Sequence, residues 1–316
     1  MNQIYTPQRK KRGWVWPVIG IAILFAAYSS VSSCLIRSEL GSSGSGASAK
    51  KIFKQLSKVG VLEINGVIRE APAKRWQKTL KQFREDDSVK AIVVRINSPG
   101  GAVAPSQEVY SDLVATAAKK PVIASMASVA ASGGYYIAVA APKIYANPGT
   151  LTGSIGVIME FANLEKLYDW AKVQRFSIKT GKFKDAGAEY RKMEPEERKL
   201  LQEMVDATLV DFKAAVAKGR KLTAAEVDLV ADGRIFSGSQ AKVSKLVDEL
   251  GGLQDAIHAA AQAGKIEGEP RVVYGEKQDR GGFLRWLIEN MGERDRDDDE
   301  ESRSPSVMEG IVAAAV

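Results

Sequence analysis

Residues 89–98 read VKAIVVRINS, a nearly continuous apolar run. A strand with one wet face alternates apolar and polar residues; an unbroken run suits a strand covered on both faces. Such a strand needs helices above and below it. The flanking sequence supplies them. KVGVLEINGVI (58–68) is rich in β-branched residues and reads as a strand. AKRWQKTLKQFRED (73–86) has helical spacing, and a second helix starts near residue 104. PVIASMA (121–127) predicts a third strand, the segment from Ser132 a helix, and KIYA (143–146) a fourth strand. A helix is expected near NLEKLYDWA, a long one over 194–220, and a late amphipathic one in LQDAIHAAAQAG (253–264). Alternating strands and helices imply an α/β fold with right-handed crossovers. One domain over about 51–275 accounts for all of them.

The first fifty residues differ from this body. RKKR (9–12) precedes WVWPVIGIAILFAAYSSV (14–31), and no charge follows until Arg37. At about 1.5 Å per residue, a helix over 14–36 is long enough to cross the hydrocarbon core. Positive charge before the span places residues 1–13 in the cytoplasm and the body outside. A retained anchor is the expectation. A cleaved signal peptide, and a lipoprotein box at VSSC ending in Cys34, remain open for the same segment. Residues 37–50 contain GSSGSGAS and read as a flexible linker. At the other end, 276–316 combines a possible short helix, FLRWLIENM, with the charge run ERDRDDDEESRSPS and an apolar ending, GIVAAAV. The charge run predicts disorder.

Composition removes several kinds of chemistry. The chain has one cysteine, Cys34, and one histidine, His258. No intramolecular disulfide can form, and a zinc site of Cys and His is excluded. His258 lies on the late helix, where it reads as a bystander rather than as part of a Ser–His–acid triad. The net charge is +7, but the basic residues are spread out and no nucleic-acid motif appears, so no nucleic-acid partner is expected. No cofactor or metal is expected either.

Two glycine-rich turns carry the chemistry that remains. In AASGGYYIA (130–138), Ser132 follows an apolar strand and opens a helix. Such a turn exposes the hydroxyl above a sheet edge and leaves helix N–H groups unpaired. Gly133 lets a carbonyl approach closely. NSPGG (97–101) makes a similar strand-to-helix turn, and its glycines can aim an N–H at a neighbouring strand end. Gly101 and Gly133 would then form a two-donor hole for an oxyanion. Each turn alone fits an ordinary helix cap as well. With histidine unavailable, a lysine held neutral by burial or by neighbouring cations is the candidate base. Lys179, Lys182 and Lys184 fall together in KTGKFKDAG (179–187), which by itself also reads as a solvated loop. KTG suggests penicillin-binding enzymes, but the S-x-x-K strings at 48–51 and 239–242 are misplaced for them.

Taken together, INSPGG (96–101), ASGGYYIA (131–138), TLTGSIGVI (150–158), the K-T-G-x-x-K-D pattern (179–185) and ADGRIFSGSQA (231–241) resemble signal peptide peptidase A, also called protease IV. These are membrane-anchored serine–lysine peptidases. The resemblance covers roughly residues 55–260. It implies a Clp protease/crotonase-like layered α/β fold of repeated β-β-α units, preceded by one transmembrane helix. By position, Ser132 is similar to the nucleophile, Lys184 to the general base, and Ser154 to the hydroxyl that orients the lysine. Gly133 and Gly101 are similar to the oxyanion donors. Ser244-Lys245 departs from the family, which commonly has a glycine there. A chain of this length resembles the short form, which assembles into ring or dome homo-oligomers with Ser and Lys meeting across subunits. The implied partners are signal peptide remnants and other apolar peptides, with the bilayer held through the N-terminal helix. The implied location is the bacterial cytoplasmic membrane, catalytic domain outside. A peptidase maturing other secreted proteins and a catalytically silent scaffold are the alternatives. GIVAAAV is itself small and apolar, and is expected to be trimmed at the same site.

Overall fold

The computed structural model describes residues 57–275. The expected anchor at 14–36, the linker, the VSSC box and the tail from 276 lie outside the described residues. Among the described residues, no helix is long and apolar enough to cross a membrane.

The elements follow the expected alternation. In chain order they are β1 (Lys58–Asn65), α1 (Glu70–Glu85), β2 (Val89–Ser98), α2 (Val103–Ala117), β3 (Val122–Ala131), α3 (Gly133–Ala138), β4 (Lys143–Ala146) and β5 (Leu151–Gly153). Then come α4 (Glu165–Ala171), α5 (Pro195–Arg220), α6 (Ala224–Asp228), β6 (Ile235–Ser237), α7 (Gly238–Val243), β7 (Glu249–Leu250), α8 (Leu253–Ala263) and β8 (Arg271–Tyr274). The strand expected over 58–68 stops at Asn65, and a helix takes over from Glu70.

The strands form one sheet in the order β6-β5-β3-β2-β1-β8. All pairings are parallel except β5 with β6. Both faces are covered, as the run at 89–98 requires. Val59, Val61, Ala91 and Val93 pack under α8 against Ala256, Ile257 and Ala260. Their alternates Leu62, Ile64, Ile92, Val94 and Ile96 face the larger core beneath α1, α2 and α3. α1 buries Ala73, Trp76, Leu80 and Phe83, spaced by three and four residues, and turns its lysines outward. Each large side chain fully buried there contributes roughly 1.5–3 kcal/mol.

β3 forks the sheet. Its first half, Ile123 to Met126, pairs with β4; its second half, Val129 to Ala131, pairs with β5. β3 is therefore longer than the 121–127 expected. Its extension, Ser128 to Ala131, has mostly small side chains of low strand propensity and is held by β2 and β5 on either side. As a result the carboxyl ends of β2, β3 and β5 lie side by side: Ser98 is opposite Ala130, and Ala131 is opposite Gly153. In parallel α/β sheets, sites form at such ends.

Candidate active site

Ser132 is the first residue beyond β3 and the residue preceding α3. It has φ 51° and ψ −121°, a conformation that costs a non-glycine residue of order 1–3 kcal/mol. The turn is held by its surroundings. The Ser132 N–H donates to the Gly153 carbonyl at 2.9 Å, and its own carbonyl accepts from the Tyr136 N–H at 2.8 Å. A serine at a helix start normally caps it with its hydroxyl. Ser132 makes no capping hydrogen bond, so its hydroxyl is left for other chemistry. The residue is 5% exposed.

The NSPGG turn lies against it. The Ser98 hydroxyl accepts from the Gly100 N–H at 3.1 Å and tightens the turn. Gly100 has φ 113°, and a Cβ there would stand 2.9 Å from the Ser132 Cβ and 3.0 Å from the Gly133 nitrogen. Gly101 bridges to Ile68: the Ile68 N–H donates to the Gly100 carbonyl and the Ala102 N–H to the Ile68 carbonyl, both at 2.8 Å. In that parallel pattern the bridged residue turns its own N–H to the opposite side. The Gly101 nitrogen lies 3.4 Å from where a Cβ of Gly133 would stand. Gly133 is the first residue of α3, so its N–H has no acceptor within the helix. The two amides expected to form a hole are thus brought together beside Ser132.

Ser154 follows Gly153 at the end of β5, with φ 50°. Its N–H donates to the Arg234 carbonyl at 2.8 Å. The Ser132–Gly153 hydrogen bond places it next to the serine turn.

A narrow apolar cleft opens from Ser132 and Gly133 toward Val103 of α2, Tyr136 of α3 and Phe212 of α5. Tyr136 packs against Phe212 at 4.9 Å between ring centroids and edge-on to Tyr110 at 5.0 Å. The part of α5 that walls this cleft was not foreseen from the sequence. Its helical pattern shows a buried face but not what that face meets.

Lys184 stands elsewhere. It is exposed, and it lines a separate cavity of about 430 Å³ with Arg175, Lys179, Asp185 and Tyr190. No residue lines both cavities. Within one chain the structure brings together the serine, the two amides and Ser154, while the lysine lines a different cavity. The segment carrying it is unusual in its exposure. α4 has no buried residue, and Trp170, Phe176 and Ile178 are 79%, 78% and 96% exposed. His258 sits exposed on α8, away from these turns.

An activatable hydroxyl between two free amides at parallel strand ends is the equipment of an acyl-transfer enzyme of the serine hydrolase class. Comparison with known proteins gives the family. Residues 115–267 match the model of peptidase family S49, and residues 44–150 match that of Clp protease. A "Putative protease" of Synechocystis is 44% identical over 204 residues, 65% of this chain and 73% of that protein. A "Putative signal peptide peptidase SppA" of Enterococcus faecium is 35% identical over 263 residues, covering 78% and 73%. Protease 4 of Salmonella typhi is 38% identical over 189 residues, 60% of this chain but only 30% of that longer protein. The chain belongs to peptidase family S49, and it is a serine peptidase with a mixed α/β, Clp protease-like domain.

Proposed function

We propose that this protein is a membrane-tethered endopeptidase that cleaves signal peptide remnants and other apolar peptides with a serine–lysine dyad. Ser132 attacks the peptide carbonyl. Lys184, as the neutral amine, takes the hydroxyl proton and returns it to the leaving amine. The Gly101 and Gly133 N–H groups receive the oxyanion, each worth about 3–4 kcal/mol in comparable sites. Water then releases the acyl group by the same route. Ser154 orients the lysine amine. The observation that carries this reading is the strained Ser132 turn, with an uncommitted hydroxyl beside two adjacent amides.

Lys184 comes from a second copy of the chain. The exposed apolar side chains around it, Trp170, Phe176 and Ile178, support an interface there. The narrow apolar cleft beside Ser132 suits small apolar side chains, which signal peptides carry near their cleavage sites. Residues 14–36 would hold the domain at the outer face of the cytoplasmic membrane, close to such substrates.

A serine-reactive acylating probe followed by peptide mapping tests the reading. The adduct is expected on Ser132 and lost in both Ser132→Ala and Lys184→Ala. Adduct on another serine, or labelling undiminished in Lys184→Ala, would overturn the dyad. Absence of both labelling and peptide hydrolysis in the wild-type oligomer would favour a silent scaffold.

A further inference from the structure

Asp185 follows Lys184 directly and is the nearest carboxylate in sequence. It does not pair with that lysine. Its Oδ2 accepts from the Tyr190 hydroxyl at 3.1 Å, the Ser177 hydroxyl at 3.2 Å and Arg191 Nε at 3.3 Å. Its Oδ1 accepts from Arg191 Nη2 at 2.8 Å and from Lys179 Nζ. Even its main-chain carbonyl accepts from Arg191, at 2.9 Å. Arg191 in turn reaches Glu197 with both terminal nitrogens, at 2.9 and 2.5 Å. Glu197 is buried, 3% exposed, and also caps α5 through the Glu194 N–H at 2.9 Å. α5 is rooted in the main core by Phe212, Ala215 and Val216. A continuous polar chain thus runs from the core helix to the residue beside Lys184.

We propose that Asp185 is a positioning residue for Lys184: Arg191, anchored on Glu197, holds the turn that presents the lysine and turns the Asp185 carboxylate away from its amine. The proposal rests on the reading of Lys184 as the base. An ammonium beside an unpaired carboxylate is stabilised in its charged form and is a poor base. Here two carboxylates, Asp185 and Glu197, are matched by two cations, Lys179 and Arg191. Two further ion pairs flank the turn: Arg175 with Glu189, and Lys182 with Glu196 of α5. Among the described residues, Lys184 Nζ alone of the cations in its cavity makes no ion pair. The Arg191 and Lys179 hydrogen bonds also hold the Asp185 carboxyl well below the usual carboxylate range, and Arg191 lowers that of Glu197.

The test is the pH dependence of peptide ester hydrolysis by the full-length oligomer in detergent. Arg191→Met, which frees the Asp185 carboxylate, is expected to move the acid limb of kcat/KM up by about one pH unit, a roughly tenfold loss on that limb. Adding Asp185→Asn to Arg191→Met should return the limb to its wild-type position, and Arg191→Lys should restore it in part. A merely structural contact would lower activity without moving the limb. A folded Arg191→Met with wild-type kcat and an unmoved limb overturns the clamp. Should Arg191→Met not fold, Asp185→Asn decides: reduced kcat at unchanged KM supports the clamp, and wild-type kcat overturns it. Lys184→Ala runs alongside. If it is inactive while Arg191→Met behaves as wild type, the clamp alone fails. If Lys184→Ala keeps wild-type turnover, the dyad fails and the clamp with it.

Discussion

The backbone N–H of Ser132 donates to the carbonyl of Gly153 at 2.9 Å, tying the ends of β3 and β5 together one residue before Ser154. Both serines leave their strands with positive φ, 51° and 50°. Neighbouring parallel strands enforce both turns, so the two side chains keep a fixed relation to each other. Ser154→Ala should therefore leave the Ser132 turn intact. It is expected to lower kcat by about 10- to 100-fold with KM unchanged, if Ser154 orients the base. Steady-state kinetics with an apolar peptide ester checks it.

Adjacent glycines should respond differently to one added methyl. At Gly100 the Cβ would press on the Ser132 Cβ and the Gly133 nitrogen, at 2.9 and 3.0 Å. Gly100→Ala, strained at φ 113°, should still fold with a smaller stability loss than at Gly101, but lose at least about a hundredfold in kcat as the adjacent Gly133 amide shifts. At Gly101 the Cβ would fall 2.1 Å from the Ile68 carbonyl oxygen, rigid backbone. Gly101→Ala should lower stability by about 1–3 kcal/mol or more. Thermal melting beside kinetics separates the two.

Phe212 is 4% exposed and packs at a tilt against Tyr136 at the wall of the Ser132 cleft. Phe212→Ala should cost about 3–5 kcal/mol of stability. It should also widen the cleft. Cleavage by the surviving enzyme is expected to shift toward larger side chains before the scissile bond, read by mass spectrometry of peptide-library products.

If serine and lysine meet across subunits, two dead variants complement each other. Ser132→Ala and Lys184→Ala, mixed equally, unfolded together and reassembled, should regain about a quarter of wild-type activity, the fraction of interfaces at which an intact Ser132 faces an intact Lys184. Ile178→Asp in the exposed apolar segment should weaken assembly and activity together. Sedimentation and turnover on one preparation measure both.

Acid should loosen the lysine-bearing segment before the sheet. The carboxyls of Asp185 and Glu197 are depressed chiefly by their Arg191 hydrogen bonds. A depressed carboxyl contributes stability that is present above its unfolded value, about pH 4, and is lost as pH falls through the folded value. The contribution of this pair is thus full at pH 5–7 and declines below about pH 4. Amide exchange mapped by mass spectrometry should rise first in 172–192 as pH is lowered. Uniform loss of protection across the domain would count against the clamp as a local unit.

Much of the site was legible because its signals are local. The buried run of β2, the helical stripe of α1 and the glycines of the two turns each answer to sterics and solvent within a dozen residues. Ser132, Gly133 and Gly101 were singled out that way as candidates; Ser154 came only from the family resemblance. Other features had little local signal. The end of β3 is a strand because β2 and β5 pair with it, although the small side chains of Ser128 to Ala131 give only a weak strand signal of their own. Arg191 and Glu197 carry no local signal that sets them apart from other charged residues near a helix start; only the fold brings Arg191 between Asp185 and Glu197.

The sequence by itself determined the alternation of strands and helices, the doubly covered sheet and the serine turn. Periodicity and backbone sterics act over short stretches and need no distant partner. Only the tertiary structure decided that three strand ends coincide, that α5 walls the cleft, and that Lys184 lines a cavity other than the one beside Ser132. Those relations join residues far apart in sequence, and the packing of one element on another chooses among pairings that the local pattern leaves equally open.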